Sequence, residues 1–224
     1  MQNIDLSELE RSVLAKWEHE KTREKVNAKN KGRKIFFFLE GPPYANGELH
    51  MGHTRGYTRK DAMLRYKRMR GYDVFDRAGF DVHGLPIENK VEKELGLTSK
   101  RDIEAKIGVA EFISKCIATY KEFEQAQIND AVRLGVWFDF DNAYIPATPN
   151  YMDKALTVFK KIYEKKLIYK DTKVMPYCLH CGTVLAKGPE VEEEEDTDPS
   201  FYVLFKVDEK KSKPAIALDD NTYP

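Results

Sequence analysis

The chain has 224 residues, 42% of them hydrophobic and 33% charged, so it can bury one large core or two small ones. Lysine plus arginine and aspartate plus glutamate number 37 each, which excludes a net positive field as the basis of nucleic-acid binding. No apolar run reaches membrane-spanning length and the N-terminus does not resemble a signal peptide, so we expect no membrane association and a cytoplasmic location.

The N-terminal segment, residues 5–27, has apolar side chains at helical spacing. Asp5 or Ser7 can cap this helix, because short oxygen-bearing side chains accept hydrogen bonds from the first free backbone N–H groups. We predict a helix that packs across the main domain through one apolar face, formed by Leu6, Leu9, Val13, Leu14 and Trp17.

A strand, a tight loop and a helix follow. Residues 35–39 read Ile-Phe-Phe-Phe-Leu, which predicts a buried central strand. Gly41-Pro42-Pro43 cannot continue a strand or a helix, and Asn46-Gly47 adds a second turn signal. A helical pattern begins at about Leu49.

Two histidines stand at the start of that helix. His50 and His53 lie three residues apart on its first turn, so both imidazoles share one face beside unpaired backbone N–H groups. The helix dipole favours anions there, and Gly52 would let a flat base or a phosphate approach the backbone. The pattern predicts a nucleotide-phosphate site. The alternative is that the two histidines are a chance pair on a helix surface. The preceding strand and Pro-Pro loop make this alternative less favourable.

The same helix presents an apolar stripe that we predict to be core: Ala62, Met63, Tyr66 and Met69. Gly71 ends the helix, and residues 73–76 read as a second strand, parallel to the first. Residues 79–88 then fall at the carboxyl edge of the sheet, where ligands bind in open parallel sheets.

Further helices are predicted downstream, among them a long one whose apolar stripe includes Cys116 as a small buried hydrophobe. Thr148 and Pro149 begin another. Its apolar residues are predicted to face inward: Ala155, Leu156, Phe159, Ile162 and Tyr163.

The character of the chain changes near Leu167, where short alternating segments at 167–170 and 173–177 lead into a CxxC motif. Cys178 and Cys181 have the spacing of half a zinc knuckle, but no second CxxC or distal histidine follows. The other interpretations are a redox pair and two unliganded thiols. His180 lies inside the loop and is expected to point away from any metal. Residues 201–207 read as a strand.

Three motifs in order resemble one enzyme family. His50-Met51-Gly52-His53 resembles the signature of class I aminoacyl-tRNA synthetases, usually written HIGH. The run at 41–47, Gly-Pro-Pro-Tyr-Ala-Asn-Gly, and the run at 79–88, Gly-Phe-Asp-Val-His-Gly-Leu-Pro-Ile-Glu, resemble isoleucyl-tRNA synthetases in particular. The similarity extends from about Trp17 to Val207.

The resemblance implies an α/β fold: a Rossmann-like parallel sheet with a small β-rich zinc-knuckle segment. Residues 1–165 would form an N-terminal helix and the first half of the catalytic domain. Residues 166–224 would form the base of the connective insertion, before an editing domain. The chain would thus be the front part of a longer enzyme, which we expect to be a monomer.

It also implies roles for particular residues. His50 and His53 would be catalytic. Asp81 and the Pro43 carbonyl would hold the ammonium group of the amino acid. His83 would lie beside them, and its alternative role is to orient its own loop. Cys178 and Cys181 would ligate Zn²⁺ with ligands from elsewhere in the enzyme. ATP would contact Gly41, Pro42, Tyr44, Asn46, His50, Gly52 and His53.

The implied activity is ATP- and Mg²⁺-dependent activation of isoleucine, followed by its transfer to tRNA(Ile). Two alternatives stay open: a valyl- or leucyl-type synthetase of the same fold, and a chain that by itself is a non-catalytic nucleotide-binding module. We expect the isolated chain to be inactive or very weakly active.

Overall fold

A computed structural model describes residues 5–185, 195, 197 and 199–203, and structural statements below refer to these residues. The chain divides into two units, Met1–Val184 and Leu185–Pro224. The helices are α1 Leu6–His19, α2 Thr22–Asn30, α3 Met51–Met69, α4 Leu85–Glu94, α5 Lys100–Asp102, α6 Val109–Arg133 and α7 Pro149–Glu164, with a π-helical turn at Ile103–Ile107 between α5 and α6. The strands are β1 Ile35–Leu39, β2 Asp73–Gly79, β3 Asp139–Tyr144, β4 Tyr177–Cys178 and β5 Thr183–Val184.

The N-terminal segment forms two helices where the sequence predicted one. Asp5 caps α1 as predicted, because its Oδ1 accepts the N–H groups of Ser7 at 2.9 Å and Glu8 at 3.2 Å. The break falls at Lys21, whose φ of +49° is left-handed and interrupts the helix.

The main sheet has three parallel strands in the order β1-β2-β3. Ile35 aligns with Asp73 and Leu39 with Arg77, and α3 connects these two strands. The predicted parallel strand-helix-strand unit is therefore confirmed, and the ends of β1 and β2 meet at one edge of the sheet.

The prediction that residues 35–39 form a buried central strand is wrong for the described part of the chain. β1 lies at the edge of the sheet, and Ile35, Phe37 and Leu39 are 67%, 64% and 54% exposed. Only Phe36 and Phe38 pack against the core. Because successive side chains of a strand point to opposite faces, an apolar run is buried throughout only when both faces are covered.

The buried face of α3 also differs from the prediction. Ala62, Met63, Tyr66 and Met69 are exposed, and the buried positions are Tyr57, Asp61, Leu64 and Arg68. The carboxylate of Asp61 accepts the Trp137 N–H at 2.9 Å, and Arg68 pairs with Asp76 of β2. Two charged residues therefore face inward because each has a partner, which hydrophobicity alone could not indicate.

The core forms where α3 and α6 cover the sheet. One cluster joins Tyr57, Leu64, Ala78, Ala131, Val136 and Phe138. Cys116 of α6 packs between two neighbouring clusters, and burial raises the pKa of its thiol to about 11. Its predicted role as a small hydrophobe in the apolar stripe is confirmed, although the residue is only partly buried.

The predicted inward face of α7 is wrong for the described residues. Pro149 begins the helix as predicted, but α7 buries none of its residues, and Leu156, Phe159 and Tyr163 are exposed. The hydroxyl of Thr148 donates to the Ile145 carbonyl instead of capping the helix.

Beyond α7 the described chain has little regular structure. β4 and β5 form a short antiparallel hairpin around the CxxC motif. Of the alternating segments at 167–170 and 173–177, only Tyr177 lies in a strand. Residues 201–203 are not in a strand, and the rest of the strand predicted at 201–207 lies outside the described residues. No described helix is both long and apolar enough to cross a membrane.

Candidate functional site

Two side chains of α6 hold the loop between β1 and α3 through hydrogen bonds. The buried Gln127 donates from Nε2 to the carbonyl oxygens of Tyr44 at 2.8 Å and Gly47 at 2.6 Å. Asp130, one turn further along α6, accepts the Leu49 N–H at 3.2 Å. The Gln127 Nε2 thus donates to two carbonyl groups of the loop, although Oε1 has no partner in the described chain, and with Asp130 it ties the loop in front of α3 to α6.

The two signature histidines cap α3 reciprocally. His50 is the N-cap residue, and its Nδ1 accepts the Gly52 N–H at 3.0 Å. His53 lies in the first turn, and its Nδ1 accepts the His50 N–H at 3.4 Å. The rings stack with centroids 3.7 Å apart and planes 21° from parallel. The sequence predicted the shared face but not this mutual capping.

This pattern assigns the tautomer of both rings. A neutral imidazole whose Nδ1 accepts carries its proton on Nε2. Burial, then the neighbouring His50, then Lys60 lower the pKa of His53, so its ring is neutral at physiological pH. The pair can therefore offer two Nε2–H donors at a helix N-terminus, an arrangement suited to phosphate oxygens.

Gly52 is required by the cap itself. A Cβ at this position would lie 2.8 Å from Cε1 of His50, closer than side chains pack. The absence of a side chain therefore lets the His50 ring fold over the helix end. This steric requirement for glycine is separate from the close approach of a ligand to the backbone that the sequence predicted.

The two flanking motifs meet at the sheet edge. The Asp81 N–H donates to the Pro43 carbonyl at 3.0 Å, and the Ala45 N–H donates to the Asp81 carbonyl at 2.8 Å. Tyr44 and Asp81 form a parallel bridge. Pro43 and Asp81, predicted to share the ammonium group, are thus neighbours, although one lone pair of the Pro43 carbonyl is already used. His83 is exposed just before α4.

A cleft of about 210 Å³ opens between this loop and α3. Of the predicted site residues, the structure brings five to it: Gly41, Pro42, Pro43, Gly52 and His53. Tyr44, Asn46, His50, Asp81 and His83 do not line it. The cleft is therefore the space beside one signature histidine, and Asp81 does not line it.

Three side chains that the sequence analysis missed shape the cleft. Glu40 is buried at the end of β1 and pairs with Lys60 of α3. Tyr144 of β3 donates its hydroxyl to the Glu40 carbonyl. Lys60 lies seven residues after His53, a helical spacing that could have indicated a shared face, but nothing local predicts Glu40 or Tyr144 as its neighbours.

Known proteins resemble this chain in sequence and in fold. The profile of the family "tRNA synthetases class I (I, L, M and V)" matches residues 12–212. The chain belongs to the class I tRNA synthetases.

Two curated relatives are similar to this chain over almost its whole length. The isoleucine--tRNA ligase of Methanocaldococcus jannaschii is 42% identical over 98% of this chain, and that of Methanococcus aeolicus is 40% identical over 99%. This class I tRNA synthetase chain covers 20% of the length of each.

A solved structure shares the fold. The ternary complex of Agrobacterium radiobacter K84 agnB2 LeuRS with tRNA and LeuAMS matches with a TM-score of 0.61 and 24% identity, over 83% of this chain and 21% of that one. At this identity the likeness supports the α/β architecture with its parallel sheet.

The CxxC motif of this class I tRNA synthetase chain lies against α4. The Cys181 N–H donates to Sγ of Cys178 at 3.3 Å, and His180 Nε2 lies 3.6 Å from Glu92 Oε2, so the ring faces α4. In the part of the chain that the structure describes, no three His, Cys, Asp or Glu side chains are placed to hold a metal. Because structural zinc needs four ligands, the two cysteines do not form a zinc site with their described neighbours.

Proposed function

We propose that this chain is the nucleotide- and amino-acid-binding part of an isoleucyl-tRNA synthetase, which activates isoleucine with ATP and transfers it to tRNA(Ile). The reciprocally capped pair His50 and His53, at the N-terminus of α3, is the observation that carries the proposal. Support for isoleucine comes from the curated relatives, all at about 40% identity over most of the chain.

The histidines would act on the phosphates of ATP. The isoleucine carboxylate attacks the α-phosphorus in line, an O–P bond forms, and the bond to the leaving pyrophosphate breaks. No protein nucleophile is needed, because positioning and charge stabilisation supply catalysis. The Nε2–H groups of His50 and His53 would donate to the oxygens on which negative charge grows.

The remaining predicted ATP contacts would lie around the same helix end. Gly41, Pro42 and Gly52 line the cleft with His53, while Tyr44 and Asn46 sit on the loop that Gln127 holds. Mg²⁺, when bound, would neutralise charge on the phosphates. Because the described residues offer no cluster of three acidic or histidine ligands, the phosphates themselves would be its main ligands.

The amino acid would lie at the other side of the loop. Asp81 supplies the carboxylate for the ammonium group, and the Pro43 carbonyl has a second lone pair for it. His83 would stand beside this subsite. Residues 1–165 would constitute the catalytic half-domain, and residues 166–224 the base of an insertion in which Cys178 and Cys181 contribute two ligands to Zn²⁺ completed elsewhere. The enzyme would be a cytoplasmic monomer.

The deciding experiment is amino-acid-dependent exchange of pyrophosphate into ATP. It is run on this chain and on a longer synthetase that contains this sequence, with isoleucine, valine and leucine in parallel. We expect isoleucine to support the fastest exchange in the longer protein and very weak exchange in the chain alone. A preference for valine or leucine would identify a synthetase of another specificity. Binding of ATP without exchange by either protein would favour a nucleotide-binding module.

A further inference from the structure

The cleft beside His53 contains an ion pair that the histidine motif does not explain. Glu40 follows β1 directly, and its side chain is 1% exposed. Lys60 is its ion-pair partner among the described residues, and the ammonium group donates to Oε1. Oε2 is buried and has no hydrogen-bond partner in the described chain. Burial raises the pKa of Glu40, and the hydrogen bond from Lys60 opposes that rise.

Lys60 extends towards the cleft from α3. His53, Gly56 and Lys60 follow one another at helical spacing, and all three line the cleft. The Lys60 ammonium also lies 3.4 Å from the Gly41 carbonyl and 5.8 Å from the centre of the Tyr57 ring. A lysine therefore joins the loop after β1 to the helix that carries the histidines.

Glu40 does not shield the Lys60 ammonium group completely from solvent. Its side chain is 35% exposed, and an ammonium group has three donors, of which two point at Glu40 and Gly41. The charge also acts on His53, whose pKa it helps to lower. A cation here and a neutral imidazole with an Nε2–H donor together make the cleft receptive to an anion.

The walls of the cleft leave room for such a ligand. A Cβ added to Gly56 would meet no atom within 4 Å, so the helix surface is open between His53 and Lys60. Gly41 likewise has open space above it. Two glycines opposite each other allow a ligand to lie against backbone on both sides.

We propose that Lys60 is a positioning residue for nucleoside triphosphate binding: held by the buried Glu40 carboxylate, it fixes the Gly41 loop against α3 and presents positive charge to the cleft. This inference rests on the proposed function and adds a residue outside the three motifs. It places the effect of Lys60 on ATP, because Asp81, the proposed partner of the ammonium group, does not line the cleft.

The first test compares Lys60→Met with Lys60→Arg and with the control Arg59→Met. Arg59 is exposed on the same helix and does not line the cleft. In the longer synthetase that contains this sequence, Lys60→Met should raise the KM for ATP by about tenfold, the scale of one charge-assisted hydrogen bond. The KM for isoleucine should change little. Lys60→Arg should keep most of the ATP affinity, and Arg59→Met should match the wild type.

A double variant separates this role from simple neutralisation of a buried acid. Lys60→Met alone leaves the Glu40 carboxylate without its cation and should lower stability. Glu40→Gln with Lys60→Met removes both charges and should restore stability while ATP binding stays weak. In the 224-residue chain, NMR titration should show the pKa of His53 raised in Lys60→Met relative to Arg59→Met.

Recovery of wild-type ATP affinity in the double variant would overturn the proposal, because Lys60 would then only neutralise Glu40. Equal loss for ATP and isoleucine in Lys60→Met would overturn it as well. The proposed function fails separately: wild-type protein that exchanges with a different amino acid would refute it, while a selective ATP defect in Lys60→Met would still support the role of Lys60.

Discussion

Two regions of this chain differ in packing in a way that apolar content does not predict, because apolar residues are more frequent in α7, which is exposed, than in the loop before α3. The loop from Glu40 to His50 is tied to α6 through Gln127 and Asp130 and to the segment after β2 through the backbone of Asp81. The helix α7 and the CxxC hairpin that follows expose their apolar side chains in the described structure. Polar anchors, and not apolar content, distinguish the loop before α3 from the exposed segment.

The difference indicates what each region requires. If the loop before α3 holds phosphates, as proposed, it has to be rigid before the ligand arrives, and the contacts of Gln127 and Asp130 provide that rigidity. An amphipathic helix needs only a matching apolar surface. Substitutions in the two regions test this contrast.

The histidine pair should give the largest effect. In a longer synthetase containing this sequence, His50→Ala or His53→Ala should slow isoleucine-dependent exchange by roughly 100-fold, the scale of one lost transition-state donor. His19→Ala, at the end of α1, is the matched control and should leave the rate unchanged. Wild-type exchange rates in both signature variants would remove the histidines from the phosphate site.

Asp81→Asn should affect the amino acid more than the nucleotide. It removes the charge opposite the ammonium group but preserves the size of the side chain, so isoleucine should bind about tenfold or more weakly while ATP binding changes little. Calorimetry with each ligand measures the two affinities, and Asp141→Asn serves as an exposed control. Equal weakening of both ligands would indicate a structural effect on the loop.

Gln127→Ala tests the anchor beneath the loop. It leaves the Tyr44 and Gly47 carbonyl oxygens without their donor, which should reduce the free energy of unfolding by about 1–3 kcal/mol. Gln125→Ala, two residues earlier and exposed on the same helix, should change it by less than about 0.5 kcal/mol. Urea unfolding of the chain compares the two. Similar losses would mean that the loop is not held through Gln127.

The CxxC motif should bind zinc weakly in this chain. The hydrogen bond from the Cys181 N–H lowers the pKa of Cys178, while burial raises that of Cys181, so Cys178 loses its proton first as pH rises. Because only thiolates ligate zinc, affinity should increase with pH. We expect substoichiometric zinc by mass spectrometry, removed by EDTA with little change in Tm. One zinc that survives EDTA but is absent from Cys178→Ser would reveal two further ligands.

The exposed face of α7 should contribute least. Leu156→Ser should change the free energy of unfolding by less than about 0.5 kcal/mol, because the side chain is already in water. Leu64→Ala, fully buried on α3, provides the reference, with an expected loss of about 2–5 kcal/mol. A large loss for Leu156→Ser would show that α7 is packed in solution.

Local chemistry made part of this structure predictable. Asp5 and Pro149 start helices where caps and prolines belong, and the apolar run before Gly41 forms a strand parallel to the one after Gly71. These features depend on neighbouring residues or on a single period. The shared face of His50 and His53 was predictable for the same reason.

Long-range pairing made the rest unpredictable. Of the inward charges of α3, Asp61 depends on the distant Trp137, and Arg68 depends on Asp76 of the next strand and on the distant Asn27. The two carbonyl partners of Gln127 lie some 80 residues earlier. The link between Glu40 and Lys60 has the same character. A sequence pattern shows which side chains share a face but not which partner makes a charged face stable when buried.

The exposed side of β1 has a consequence for handling the protein. Ile35, Phe37 and Leu39 form an uncharged, aromatic stripe on a strand that has one neighbour in the described sheet. Strands of this composition at a sheet edge pair readily with copies of themselves. Concentrated solutions of the chain should therefore self-associate through β1, and Phe37→Lys, which places a charge on the exposed face without touching the cleft, should keep it dispersed.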